Sequence, residues 1–225
     1  MRRSSGRPRH AGRLHAVSPG DLESVGLRVL SGRPLRWRHR LAGVVVVASD
    51  IDADVGVAAV WLVRRAGSPD AVDEACLFER IGDRWRYLGG GSRTGSELLR
   101  AGRLPASRAG PASMITSMSG CASRSRADRV AQGGQQDFLH VGWVACAMFR
   151  VAAEVQRLQA GARRITVPQH GYVIVAWKAG PRSDVPPRPP IVAVGEDGSR
   201  LSELGPNDHL DSYAWAGIEA AIGGD

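Results

Sequence analysis

The chain has 225 residues, 43% of them apolar and 23% charged, a composition that supports one sizeable globular core in a soluble protein, and its three cysteines fit a reducing cytoplasm. No apolar run approaches the roughly eighteen residues that a membrane-spanning helix needs, because Gly or a charge interrupts each one. The formal charge of +8 is concentrated in residues 1–40, where ten Arg face only Asp21 and Glu23; the remaining twenty basic and twenty acidic residues cancel.

Arg outnumbers Lys 29 to 1, with Lys178 the single lysine. A GC-rich coding sequence accounts for that ratio, so it argues little for phosphate contacts. Cys76, Cys121 and Cys146 stand 45 and 25 residues apart without a C-x-x-C, which excludes the usual zinc and dithiol spacings. Buried free thiols are the expectation, and a Cys76–Cys146 disulfide is the alternative.

Residues 1–40, rich in Arg, Gly, Ser and Pro, read as a disordered arm with at most a short turn around Asp21–Val29. Such an arm can touch DNA or RNA weakly and without sequence preference. The segment R-W-R-H-R at 36–40, followed by the apolar residues 41–48, resembles a signal sequence. Its late position and short apolar part favour a buried strand instead.

A single β-rich domain is expected over 41–225. Val44–Ala48 and Val57–Val63 are β-branched and apolar on both faces, as buried strands are. Between them, Asp50, Asp52 and Asp54 alternate along an extended segment. Three carboxylates on one side of a strand end suit Mg²⁺ or Ca²⁺, which prefer oxygen ligands. An apolar strand followed by D-x-D resembles the metal site of sugar-nucleotide transferases and of aspartyl-phosphate phosphatases. Other parts of such sites are missing: Lys178 is the only lysine, and Val55 and Trp61 stand where an EF-hand needs Gly and Glu. An acidic turn between two strands is the competing reading.

Cys76–Arg80 and Arg84–Leu88 flank Ile81-Gly82-Asp83 as a hairpin. Trp85 and Tyr87 fall on one face of its second strand, where they form either a ligand-stacking platform or core. The glycines Gly89–Gly91 are expected to end that strand. The following G-x-x-x-x-G lacks a phosphate loop's Lys, which Ser96 replaces, and carries Glu97 where a hydroxyl belongs. Residues from about 92 to 136, dominated by Ser, Arg, Gly and Ala, read as a flexible insertion.

Residues 147–158 fit both periods. The strand reading is adopted here, and a helix would make the class α+β. Tyr172–Trp177 reads as a central strand, and five prolines within 181–190 as a stiff connector. Ile191–Val194 and Arg200–Leu204 form a second hairpin around Glu196-Asp197-Gly198. A short helix is expected after Asn207.

The expected fold is therefore mainly β, with sandwich-like packed sheets and a short C-terminal helix. His140, His170 and His209 have no nucleophile motif beside them. The leading functional expectation is a non-catalytic binding or interaction module that needs no cofactor. The alternative is a Mg²⁺-dependent transferase or phosphohydrolase acting through Asp50 and Asp52.

Overall fold

The computed structural model of the chain describes residues 19–94, 103–109, 112–124, 142–179, 188–206 and 208. In chain order the elements are α1 (Pro19–Leu30), α2 (Trp37–Leu41), β1 (Val45–Asp52), β2 (Val57–Arg64), β3 (Val72–Ile81) and β4 (Arg84–Thr94). They continue with α3 (Ala106–Ala109), β5 (Ser113–Ala122), β6 (Trp143–Val151), β7 (Arg157–Ala160), β8 (Arg163–Thr166), β9 (Tyr172–Ala179), β10 (Ile191–Val194) and β11 (Arg200–Leu204). Among the described residues the strands form three sheets, ordered β1-β2-β3-β4, β5-β6-β9 and β11-β10-β7-β8. Every pairing is antiparallel. The protein is mainly β, and no described helix is long and apolar enough to cross a membrane.

The sheets stack. Trp61, Leu77, Cys146, Met148 and Ile174 fill the space between the first and second sheets, and Trp61 meets the Tyr172 ring edge-on at 5.5 Å. Phe149, Val175 and Trp177, on the other face of the second sheet, pack against Leu158, Ile191 and Leu204 of the third. α1 covers the outer face of the first sheet, seating Leu22 and Val25 over Val60, Leu62 and Phe78. β2, β6 and β9 are thus buried on both faces, which is why their sequences are apolar at successive positions. The 147–158 ambiguity resolves accordingly: β6 ends at Val151 and a turn leads to β7. A helix there would have left one of its two partner sheets uncovered.

Four expectations need correction. Val44–Ala48 is not buried on both faces, since Val45 is exposed and Val46, Val47 and Ala48 are only partly buried. The arm is not structureless throughout, since α1 runs from Pro19 to Leu30. Leu22, Val25 and Val29 recur at helical spacing, Asp21 lies in the first turn and Arg28 in the last. Gly32 ends the helix at φ +65°. Its N–H donates to Val29 O at 2.9 Å, and that of Arg33 to Arg28 O at 2.8 Å, the paired bonds of a Schellman cap.

The glycine run does not end β4 either, because the strand continues to Thr94. A Cβ on Gly90 would lie 1.8 Å from the Ala75 carbonyl oxygen, so glycine there permits close approach to β3. Finally, β5 lies inside the expected insertion at about 92–136, paired along its length with β6. As a half-exposed edge strand it needs few apolar residues. Both hairpins form as expected, the first with Ile81 opposite Arg84 and the second with Ile191 opposite Leu204. The helix expected after Asn207 and most of the proline-rich connector lie outside the described residues.

Candidate functional site

Asp50 and Asp52 project from β1 towards the edge of β9, where a strand would otherwise expose unpaired backbone groups. Asp50 Oδ2 accepts from the Ala176 N–H at 2.8 Å and from Arg163 Nη1 at 2.7 Å. Arg163 Nε lies 3.1 Å from Asp52 Oδ2, and its Nη2 donates to the Ala176 carbonyl. The ion pair therefore occupies both backbone groups of Ala176 and joins all three sheets at one point. The structure brings Asp50 and Asp52 together on a guanidinium and leaves Asp54 in the exposed turn after β1. Among the described residues, no group of three or more His, Cys, Asp and Glu is placed to hold a metal ion. What the arrangement does chemically is neutralise charge and close an edge.

Two further contacts tie the first sheet to the second, an ion pair from Glu79 to Lys178 and a hydrogen bond from Arg93 to β5. Buried Glu79 accepts from Ser123 Oγ at 2.6 Å, Arg124 N at 2.7 Å and Lys178 Nζ at 2.9 Å. Arg93 donates to Asp73 Oδ2 at 3.1 Å and to the Thr116 carbonyl at 2.7 Å. Thr116 sits where the β5–β6 register shifts, and Arg93 satisfies the carbonyl that the shift leaves outside the ladder. Glu79 thus has a cation and two further donors, as a buried charge requires, whereas Asp73 has Arg93 on Oδ2 and a buried Oδ1 with no hydrogen-bond partner among the described residues.

Trp85 and Tyr87 do share a face of β4, but that face lies partly buried against the cluster under α1. Tyr87 packs on Phe78 with ring centroids 5.5 Å apart, and burial pushes its hydroxyl up to about 12. His170 stacks on Tyr172 and accepts from the Tyr172 N–H at 3.1 Å, while His140 and His209 lie outside the described residues. An open groove of about 700 Å³ between Ala153–Gln156 and Gly195–Leu201 carries Glu154, Glu196 and Asp197. Two of these acids are engaged locally. Glu154 accepts from the Ala106 N–H at 3.0 Å, and Asp197 from the Ser199 N–H at 2.9 Å. The Ser199 hydrogen bonds hold Asp197 below its ordinary value.

The most exposed large apolar side chains among the described residues are elsewhere. Trp37 is 75% and Leu41 77% exposed. They stand one turn apart on α2 and so share a face. His39, between them and on the opposite side of the helix, is buried. Its Nε2 accepts from Arg38 Nε at 3.2 Å, and burial followed by the charge of Arg38 lowers its pKa. Arg33, Arg36, Arg38 and Arg40 are all exposed around this face. Arg33 and Arg36 also line a shallow groove of about 420 Å³ along α1. The counter-charge is sparse: Asp21 lies 3.6 Å from Arg38, and Glu23 faces the groove.

In the sequence R-W-R-H-R reads as part of the arm, and the i, i+4 relation of Trp37 to Leu41 emerges only with α2. Arg163 carried no local signal. Comparison with protein-family models, with curated proteins and with solved structures returned no significant match, so function has to be argued from this geometry.

Proposed function

We propose that the protein is a non-catalytic binding module whose contact surface is the α2 face. The observation that carries this reading is the exposure of Trp37 and Leu41 on one side of a helix anchored through buried His39. Tryptophan flanked by arginine combines a large apolar area with charge, the pairing enriched at recognition surfaces. The acidic pair favoured by the enzyme alternative already holds Arg163, and a cation would have to displace a mostly shielded guanidinium to reach it.

The test compares the full-length chain with Trp37→Ser/Leu41→Ser against anionic vesicles and a single-stranded oligonucleotide, with self-association followed by ultracentrifugation. Hydrolysis of a simple phosphate monoester with Mg²⁺ is measured in parallel. The native chain should show at least one of the three interactions, the variant should lose it at unchanged melting temperature, and hydrolysis should stay at the buffer rate. Absence of all three, with Mg²⁺-dependent hydrolysis abolished by Asp50→Asn, would put the phosphohydrolase reading ahead.

A further inference from the structure

The α2 face can be assigned a partner class, an assignment that rests on the binding-module reading. Trp37 and Leu41 are the most exposed large apolar side chains among the described residues, and Val45 at the start of β1 is exposed as well. A single-stranded nucleic acid would use the indole as a stacking platform but has no use for the aliphatic pair beside it. A lipid surface uses both. Indole rings settle at the headgroup level, and aliphatic side chains beside them reach the acyl boundary.

The charge pattern fits the same partner. From Pro19 to Gly43 five Arg stand against Asp21 and Glu23. Arg28 is tied to the Pro34 carbonyl at 2.7 Å and Arg38 faces Asp21 at 3.6 Å, while Arg33, Arg36 and Arg40 are exposed around the apolar face. Arginines ringing an apolar tip are placed to meet phosphate while the tip enters the interface. The helix is held to its neighbours by backbone hydrogen bonds and burial, which lowers the ordering cost of contact. The Ala42 N–H donates to Arg38 O at 3.0 Å and the Val44 N–H to His39 O at 3.0 Å, tying α2 into β1. His39 and Val44 are buried beneath it.

We propose that this face docks the protein on an anionic lipid surface, with Trp37 and Leu41 in the interface and the surrounding arginines on lipid phosphates.

The experiment is cosedimentation of the full chain with phosphatidylserine-containing and pure phosphatidylcholine vesicles, with tryptophan emission recorded in parallel. The native chain should partition onto the anionic vesicles with a blue shift and leave the neutral ones unbound. Arg36→Gln/Arg40→Gln should weaken partition by on the order of tenfold or more, since each basic residue near such a surface contributes about a factor of five. Trp37→Ser/Leu41→Ser should melt like the native chain, lose the blue shift and weaken partition at least as much. Equal partition of that variant would overturn the proposal, because charge alone would then hold the protein. Failure on vesicles with Trp37-dependent binding to the oligonucleotide, or with self-association through this face, would overturn the lipid assignment and keep the module. Failure in all three would remove both.

Discussion

Arg163 on β8 donates through Nη1 to Asp50 Oδ2 on β1 over 2.7 Å, joining residues 113 positions apart in the chain. The side chains of both are mostly shielded from solvent, so neither charge tolerates the loss of the other. Asp50→Ala and Arg163→Met should each destabilise the protein by about 3–5 kcal/mol in urea titrations, the range for breaking a buried pair. The double variant should cost less than the sum by about 1–3 kcal/mol. Strict additivity would show that the two residues act independently. The same geometry predicts that millimolar Mg²⁺ or Ca²⁺ leaves the melting temperature unchanged. A rise abolished by Asp52→Asn would restore the metal reading.

Gly26 lies where α1 crosses Phe78. A Cβ there would come within 2.1 Å of the Phe78 ring. Alanine would raise helix propensity by about 1 kcal/mol, yet overpacking costs about 1–3 kcal/mol, and the buried ring has little room to move. Gly26→Ala should therefore lower stability on balance. In a Phe78→Leu background the same substitution should cost measurably less, and an unchanged cost would mean that α1 does not rest on this ring.

Acid should weaken the fold through two histidines. Burial, followed by the charge of Arg38, lowers the His39 pKa. Burial also dominates at His170, where the Arg103 charge lowers the pKa further and a Val47 backbone hydrogen bond opposes both. In the unfolded chain each binds its proton near pH 6.5, and in the folded chain only at lower pH. The stability their neutral forms contribute is complete above about pH 6.5 and is lost as pH falls through the depressed folded values. Melting temperature should decline on acidification from about pH 6.5, and His39→Gln/His170→Gln should flatten that slope. A rise over the same window would contradict the assignment.

Thiol chemistry should be slow in the native state. Burial pushes Cys76 and Cys146 up to about 12, with the Glu74 charge adding to the effect at Cys76. Cys121 is raised as well, chiefly by burial. Because the thiolate is the reactive form, a disulfide-exchange reagent at mildly alkaline pH should label the native protein far more slowly than the unfolded chain. Rapid labelling of Cys76 or Cys146 without denaturant would mean that the sheets open readily.

What could be read from the sequence was what neighbouring residues encode. Val57–Val63 announces a strand buried on both faces, and Gly82 and Gly198 mark hairpin turns by turn chemistry alone. α1 reads in the sequence as no more than a short turn because Gly26 falls on its apolar stripe and the arm around it is rich in Arg and Gly. β5 escaped because an edge strand of Ser, Met and Gly pairs through its backbone, which leaves little side-chain signal. At the candidate sites, alternation put Asp50, Asp52 and Asp54 on one side, and the structure keeps the first two together while Asp54 falls in the turn. Their partner Arg163 belongs to a different sheet, and no local pattern links the two. Trp37 and Leu41 become an i, i+4 pair only with α2, and in the sequence the surrounding arginines read as charge instead.

The span between Asp50 and Arg163 also bears on how the molecule assembles. On a ribosome, β1 emerges with its hairpin partners long before β8 exists, so the Asp50 edge must wait for more than a hundred further residues. Contacts that distant in sequence pay their loop-closure entropy late and slow the approach to the native state. Once β9 is made, its edge stays unsealed until Asp50 and Arg163 meet over Ala176, the kind of surface through which incomplete chains pair with one another. Arg163 is the latch on that edge, and variants that loosen it should show their defect first in the yield of refolding and only second in the stability of what has folded.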